Sequence, residues 1–338
     1  MKWTLYSILI ALTMTNSLLG QQEKYVGLEH QEQSGGCGFN FSLNELKKTD
    51  QLIYEQVMEL STTRSTNHNK SEGPYIIPVV FHVLHNNTDD NISDAQIQDA
   101  IRILNEDFNA SNFDIGEVID EFQGRIGNVG IEFRLAKIAP NGVCFNGVTR
   151  TVRTTTSMDG LQQLNEVIVG NDVYREIWPH YKYLNVIVCN RLPNAYAGYT
   201  QLPVGSPTLN INHLRFNTIY ILPNYLGSIG TSTVPRGRTL THEVGHWLNL
   251  LHTWGPAEKG VCGDDFVDDT PRTSGHSGCI LSSNTCDSTI DNVQNFMDYS
   301  YCSRHFTTGQ AERMIEALNN NKGGRDQICT EHNLRGVG

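Results

Sequence analysis

Three histidines and one glutamate fall in the eleven residues His242-Glu243-Val244-Gly245-His246-Trp247-Leu248-Asn249-Leu250-Leu251-His252. Their types and spacing suit a metal ion and its use in hydrolysis. His242 and His246 are four residues apart, so a helix projects both from one face toward one ion. Glu243 stands beside the first ligand, where a carboxylate can take a proton from a water that the metal polarises. His252 reaches the same ion only if the helix stops and the chain turns sharply after His246. Three imidazoles leave one position open for water, the arrangement of a catalytic rather than a structural zinc. The turn falls at Asn249, and Asn follows Gly in its tolerance of a left-handed backbone. Asn249→Gly is therefore expected to be neutral or mildly stabilising, and Asn249→Val to weaken the metal site.

The elements that must carry these residues are legible in the apolar pattern. A strand is expected over Tyr75–His85. A helix follows, with Ser93 as N-cap and Ile97, Ile101, Leu104 and Phe108 as its buried stripe. Further strands are expected at Ile131–Ala136, Tyr183–Leu192, Ala197–Gln201 and Asn217–Leu222, then the zinc helix at Arg238–Leu248 and a last helix at Thr308–Leu318. His82 and His85 lie in the first strand and read as core or rim residues. His213, His276 and His305 have no ligand-like spacing and receive no role. Before the first strand, Ser42–Leu60 has a helical pattern with Leu43, Leu46, Ile53, Val57 and Leu60 on one side. The polar stretch Ser61–Lys70 reads as an exposed linker.

Residues Met1–Gly20 read as a secretory signal peptide: one basic residue, an apolar run from Leu5 to Met14, then small and polar residues. That run is too short to span a bilayer. The division expected is a signal peptide 1–20, a propeptide 21–64 and a catalytic domain 65–338, with an upper lobe to about 252 and a lower lobe 253–338. The formal charge is −11, or −12 without the leader, whose one charge is Lys2. An acidic chain is a poor partner for nucleic acid or an anionic membrane, and membrane insertion is not expected. Eight cysteines suit an oxidising, extracellular compartment. Sequons at Asn40, Asn69, Asn86, Asn91 and Asn109 permit glycosylation.

A second motif, Asn295-Phe296-Met297-Asp298-Tyr299, places Met297 45 residues after His252. The extended zinc helix and this methionine turn together resemble the metzincin proteases. The finer resemblance is to the pappalysin family. It is carried by Pro78–His82, Ala197–Pro203, the zinc helix, Gly263–Pro271 and Phe306–Gln310, in that order. The resemblance implies a mixed α/β (α+β) zincin fold. A twisted sheet and the zinc helix would form an upper lobe over an irregular, disulfide-braced lower lobe, with the cleft between. The family's pattern has Gly where this chain has Asn249.

The function implied is that of a secreted zinc endopeptidase made as a latent zymogen. His242, His246 and His252 would bind one zinc, and Glu243 would act as base. Tyr299 would help stabilise the oxyanion, and Met297 would form an apolar floor without touching the metal. Ala197–Pro203 resembles the family's rim strand, which accepts extended protein or peptide substrates by β-addition. A monomer is expected. The competing reading is a catalytically silent secreted binding protein on a protease scaffold, against which the intact motif argues. Only Ser300 and Tyr301 separate Tyr299 from Cys302. Acidic residues there favour a basic residue after the scissile bond in relatives, so a strict Arg or Lys preference is not expected.

Four cysteines follow the zinc helix and allow three connectivities by themselves. The resemblance implies Cys262–Cys286 and Cys279–Cys302. The loop with Asp264, Asp265, Asp268, Asp269 and Thr270 is dense in hard oxygen donors that suit calcium. With the resemblance, Asp265, Asp268 and Thr270 are the expected ligands. Cys37, between Gly36 and Gly38, could hold the zinc in the zymogen, as a Cys-Gly pair does in the family. The alternative is a disulfide with Cys144, Cys189 or Cys329.

Overall fold

The strand that opens the catalytic domain is apolar almost throughout, the signature of a strand covered on both faces. In the computed structural model, which describes residues 36–49, 51–62, 75–86, 89–152, 178–201, 217–320 and 324–338, it is β1 (Tyr75–His85). The expected signal peptide, the expected propeptide before Gly36, Asp50, the linker from Thr63 with Asn69, the end of the Ala197–Pro203 segment, and His213 lie outside the described residues. β1 pairs in parallel with β2 (Ile131–Leu135) along its first half and β3 (Val148–Val152) along its second. On its other side lies β4 (Leu184–Val188), then β6 (Thr218–Ile221), both parallel. The last strand, β5 (Gly198–Gln201), is antiparallel to β6 and forms an edge of the sheet. This is the strand expected to line the cleft.

Two helices pack beneath the sheet. The first, α3 (Asp94–Phe108), is capped by Ser93, whose side chain accepts from the Gln96 N–H at 3.2 Å. The zinc helix, α5 (Thr239–Trp247), is buried along almost its whole length. Val79, Phe81, Ile97, Leu104, Phe108, Val244 and Trp247 share one core between sheet and helices. The end of α3 fixes the start of α5. Asp107 accepts from Thr241 at 2.7 Å and lies 3.4 Å from Arg238, which also donates to Asp114. A carboxylate at a helix N-terminus is favourable to the helix dipole.

The segment before the linker departs from the expected single helix. It forms α1 (Phe39–Thr49) and α2 (Gln51–Thr62). Leu43 and Val57 both bury in one cluster with Phe39 and Leu251. In one straight helix those two residues would stand about 21 Å apart, so a shared cluster requires the chain to fold back. A short helix α4 (Asp120–Gln123), strand β3 and a C-terminal helix α7 (Glu331–Val337) complete the elements used here.

After α5 the chain is loop-rich until α6 (Thr308–Asn319). Disulfides Cys262–Cys286 and Cys279–Cys302 brace this lobe, while Cys37, Cys144, Cys189 and Cys329 are free thiols. The last residues do not stay in the lower lobe. The Val337 carbonyl accepts from the N–H groups of Lys137 and Ile138, and its side chain joins Val80 and Leu84 on the far face of the sheet. No helix among the described residues is long and apolar enough to cross a membrane. Of the sequons, Asn109 already donates its amide to the Asn105 and Ile131 carbonyls, whereas Asn91 is exposed.

Candidate active site

The zinc helix places His242 and His246 one turn apart, and the turn after it brings in His252. Asn249 has φ 68°, the left-handed conformation expected of it. Its N–H donates to the His246 carbonyl at 2.9 Å, and the Leu250 N–H to the Gly245 carbonyl at 3.0 Å, which closes the helix end. The three Nε2 atoms then stand 3.1, 3.1 and 3.3 Å apart. His242 Nδ1 meets the Phe296 carbonyl and His246 Nδ1 the Leu250 carbonyl, both at 2.7 Å. A carbonyl only accepts, so these Nδ1 atoms carry the protons and both Nε2 atoms present lone pairs to the centre. Burial pushes His242 down to about 4 and the other two well below their ordinary value, so all three are neutral. Converging lone pairs repel unless a cation lies among them. Zinc–nitrogen bonds of about 2.0–2.1 Å in a tetrahedron put ligand atoms about 3.3–3.4 Å apart, which these spacings match.

The methionine turn lies directly under α5. A Cβ on Gly245 would stand 2.5 Å from the Met297 sulfur, so only glycine permits this approach. Met297 is fully buried and shares the core with Val244 and Trp247. Asn295 holds the turn: its Oδ1 accepts from the Met297 N–H, and its side chain pairs reciprocally with Gln310 of α6.

Glu243 is wholly buried, and burial raises its carboxyl to about 7 against the favourable contacts of Thr200 and the Cys37 thiol. Thr200 of β5 donates to Glu243 Oε2 at 2.7 Å. Oε1 has no conventional hydrogen-bond partner among the described residues. Tyr299 lies against the histidines, its ring 4.7 Å from that of His252 and 5.7 Å from that of His242.

Cys37 enters this site from the segment that precedes α1. Its Sγ and the three imidazole nitrogens all lie within 4.8 Å of one another. Burial and the neighbouring Glu243 push its thiol well up, so a thiolate here requires a cation. The backbone around it adds to the sheet edge: the Ala197 N–H donates to the Gly36 carbonyl and the Gly38 N–H to the Gly198 carbonyl, both at 2.9 Å. A Cβ on Gly38 would lie 2.8 Å from Tyr196 and Tyr199, so glycine is needed at this crossing. Tyr299 donates its hydroxyl to the Cys37 carbonyl at 3.2 Å.

The acidic loop divides by role. Asp265 is buried, and burial raises its carboxyl to about 8 against the favourable contacts of the Val267 N–H and the Thr270 hydroxyl. The Asp265 carboxyl and Thr270 hydroxyl oxygens fit a hard cation. Asp268 is exposed. Asp264 accepts from the Phe266 N–H, and Asp269 accepts from Thr307 and the Gly309 N–H at the start of α6.

His276, assigned no role from spacing, is a hub of the lower lobe. Its ring contacts Asp298 at 2.8 Å and Asp291 at 3.0 Å. Asp298 in turn accepts from the Tyr299 N–H and from Thr253 beside His252. Burial opposes protonation of His276, but Asp298 and Asp291 outweigh it and raise its pKa above 6.5. A group raised in the folded state contributes stability in full below its unfolded value and loses it as pH climbs through the folded one. The melting temperature is therefore expected to fall as pH rises past about 6.5, and His276→Gln to flatten that slope. Parallel slopes for the two proteins across that range would refute the link.

Comparison with known proteins follows the same lines. The profile of the peptidase M43 family, described as pregnancy-associated plasma protein-A, matches residues 168–319. Extracellular metalloprotease 1 of Coccidioides posadasii is 30% identical over 253 residues, 72% of this chain and 76% of that protein. An extracellular metalloprotease of Colletotrichum graminicola is 28% identical over 280 residues, 79% and 85% of the two chains. Among solved structures, a promirolysin mutant of Tannerella forsythia superposes with a TM-score of 0.75 at 33% identity, covering 89% of this chain and 99% of that one. Mature mirolysin in complex with a cleaved peptide gives 0.69 at 36% identity, covering 79% and 100%. The chain belongs to the pappalysin family of metzincin metalloproteases and is a metalloendopeptidase.

Proposed function

We propose that the protein is a secreted zinc endopeptidase, held latent by its own propeptide, with His242, His246 and His252 as ligands and Glu243 as general base. The observation that carries this reading is the triangle of inward-facing Nε2 atoms beside a buried carboxylate. When bound, zinc supplies Lewis acidity that makes water nucleophilic near neutral pH and polarises a carbonyl. Glu243 Oε1 takes the proton of the attacking water and hands it to the leaving amine. Thr200 keeps Oε2 occupied, so one carboxylate oxygen is directed at the reaction. Tyr299, freed from the Cys37 carbonyl, is in reach of the developing oxyanion. The edge of β5 offers main-chain groups to an extended polypeptide, as it does to the propeptide. Secretion is supported by the relatives' names as extracellular enzymes and by the leader-like first twenty residues. Calcium at Asp265, Thr270 and the neighbouring Asp268 is supported by the buried, adjacent side-chain oxygens of the first two.

Latency rests on Cys37 in the fourth ligand position, with activation by cleavage in the linker near Thr63–Arg64. The test is casein digestion by the full chain before and after limited trypsin, with and without a zinc chelator. The wild-type precursor is expected to be silent, the activated protein to digest casein, and the chelator to stop it. The Cys37→Ala precursor should be active or self-processing without trypsin. Equal silence of the two precursors would remove the switch, and digestion that survives the chelator would remove the zinc.

A further inference from the structure

The loop from Gly255 to Gly260 carries a cation to the edge of the site. The ammonium of Lys259 lies 5.6 Å from the centre of the Tyr299 ring, a contact that the ring's electron-rich face favours. It also donates to the Ser277 hydroxyl, which uses one of its three N–H groups. No carboxylate among the described residues lies within ion-pair distance of it. The backbone on either side is held: the Gly255 N–H donates to the His252 carbonyl and the Gly260 N–H to the Ser274 carbonyl, both at 2.7 Å. Ser277 follows His276, whose ring contacts Asp298, and Asp298 accepts from the Tyr299 N–H. One hub thus places both the ammonium and the ring it rests on, and a cation placed in advance loses less freedom when an anion arrives. The same tyrosine meets the chain in the cleft. Its hydroxyl donates to the Cys37 carbonyl at 3.2 Å, and three residues further on Asn40 donates to the Ala257 carbonyl at 3.5 Å. A chain seated beside β5 therefore passes the loop of Lys259, one tyrosine away from its ammonium.

We propose that Lys259 is a specificity-determining residue, which favours an acidic side chain near the scissile bond of a polypeptide substrate and disfavours a basic one. The inference rests on the protease reading and gives a sign to the preference that Ser300 and Tyr301, both uncharged, leave open. An ammonium with N–H groups to spare and no carboxylate partner attracts an Asp or Glu that reaches past Tyr299, and repels a Lys or Arg. Lys259 is exposed, so solvent screens it, and such a pair changes an equilibrium only a few-fold. Attraction of one sign and repulsion of the other compound. The contrast between Glu and Lys is therefore on the order of 3–30-fold in kcat/KM, a bias rather than a requirement.

The full chain is prepared as wild type, Lys259→Met and Lys259→Glu, and each is activated with immobilised trypsin that is then removed. Lys259 is exposed, so all three should melt at nearly the same temperature. Cleavage of a peptide library is profiled at low salt and at about 1 M salt, where the Debye length is only about 3 Å. At one position near the bond, wild type should prefer Asp and Glu to Lys and Arg. Lys259→Met should flatten that contrast, Lys259→Glu should invert it, and salt should shrink it. Binding is read separately, by fluorescence anisotropy of labelled acidic and basic peptides on the same three proteins carrying Glu243→Ala. Cleavage by wild type without the contrast, or a contrast that persists in Lys259→Glu, would overturn the assignment. Affinities that follow the charge of this side chain, with no peptide cleaved by wild type, would keep Lys259 as a binding determinant and overturn the protease reading instead.

Discussion

Glu243→Ala is expected to retain one zinc per chain and to lose proteolysis by at least 10²–10⁴-fold, the usual scale of general acid–base catalysis. The geometry argues for so large an effect. The carboxylate is wholly buried, and one oxygen is held by Thr200 while the other has no conventional partner among the described residues. A buried carboxylate is costly to fold, and catalysis is a sufficient reason for the fold to tolerate it. The metal should survive because the Phe296 and Leu250 carbonyls, not the Glu243 side chain, orient the rings of His242 and His246. Glu243→Gln keeps the shape and the Thr200 contact and is the control for collapse of the cavity. It too should be inactive, since an amide cannot take the proton. Metal content by atomic spectroscopy and casein cleavage would be measured on the same activated samples. Cleavage by either variant within tenfold of wild type, with zinc bound, would refute the assignment.

What the sequence disclosed and what it hid divide by the range of the interactions involved. The zinc helix was legible because His242 and His246 need only helical periodicity to converge, and the turn at Asn249 because the residue type itself favours it. β1 was legible as an unbroken apolar run, and α3 as a stripe with a cap. Strand β3 escaped because Val-Thr-Arg-Thr-Val is short and polar. Its buried Thr149 has its hydroxyl satisfied by His82, sixty-seven residues earlier, at 2.9 Å. Helix α7 escaped because it buries only Asn333 and Val337 and so shows no apolar stripe. The role of His276 depends on two aspartates that loops bring together, and no spacing rule predicts that. Phe39 was hidden for the same reason. It lies before the helical pattern that starts at Ser42, and its ring partner His246 is over two hundred residues away.

The second large effect concerns Asn249, where a distant residue reverses an expectation. Read from backbone preference alone, Asn249→Gly should be harmless. In the structure the Asn249 side chain is itself employed: its Oδ1 accepts from Arg325 Nη2 at 2.8 Å. Arg325 is 1% exposed, has no carboxylate within ion-pair distance among the described residues, and is shifted down to about 9 by burial. Its other acceptor is the Trp247 carbonyl at the end of the zinc helix, where a cation also suits the helix dipole. Glycine would keep the left-handed turn but strand a buried guanidinium, at about 1–3 kcal/mol. Valine would add backbone strain of about 1–2 kcal/mol to the same loss. Asn249→Gly is thus expected to be destabilising and Asn249→Val more so, with the zinc of the valine variant lost at lower chelator concentration. The cycle with Arg325→Leu separates the two causes. If the side-chain bond is the reason, Asn249→Gly should cost far less in the Arg325→Leu background, with a coupling of about 1–3 kcal/mol by denaturant unfolding. The valine variant should stay strained in either background, because its backbone penalty does not involve Arg325. Additive costs for Asn249→Gly and Arg325→Leu would return Asn249 to a turn former and no more. A measured coupling would instead make it the joint through which the C-terminal segment holds the end of the zinc helix, and with it His252, in place.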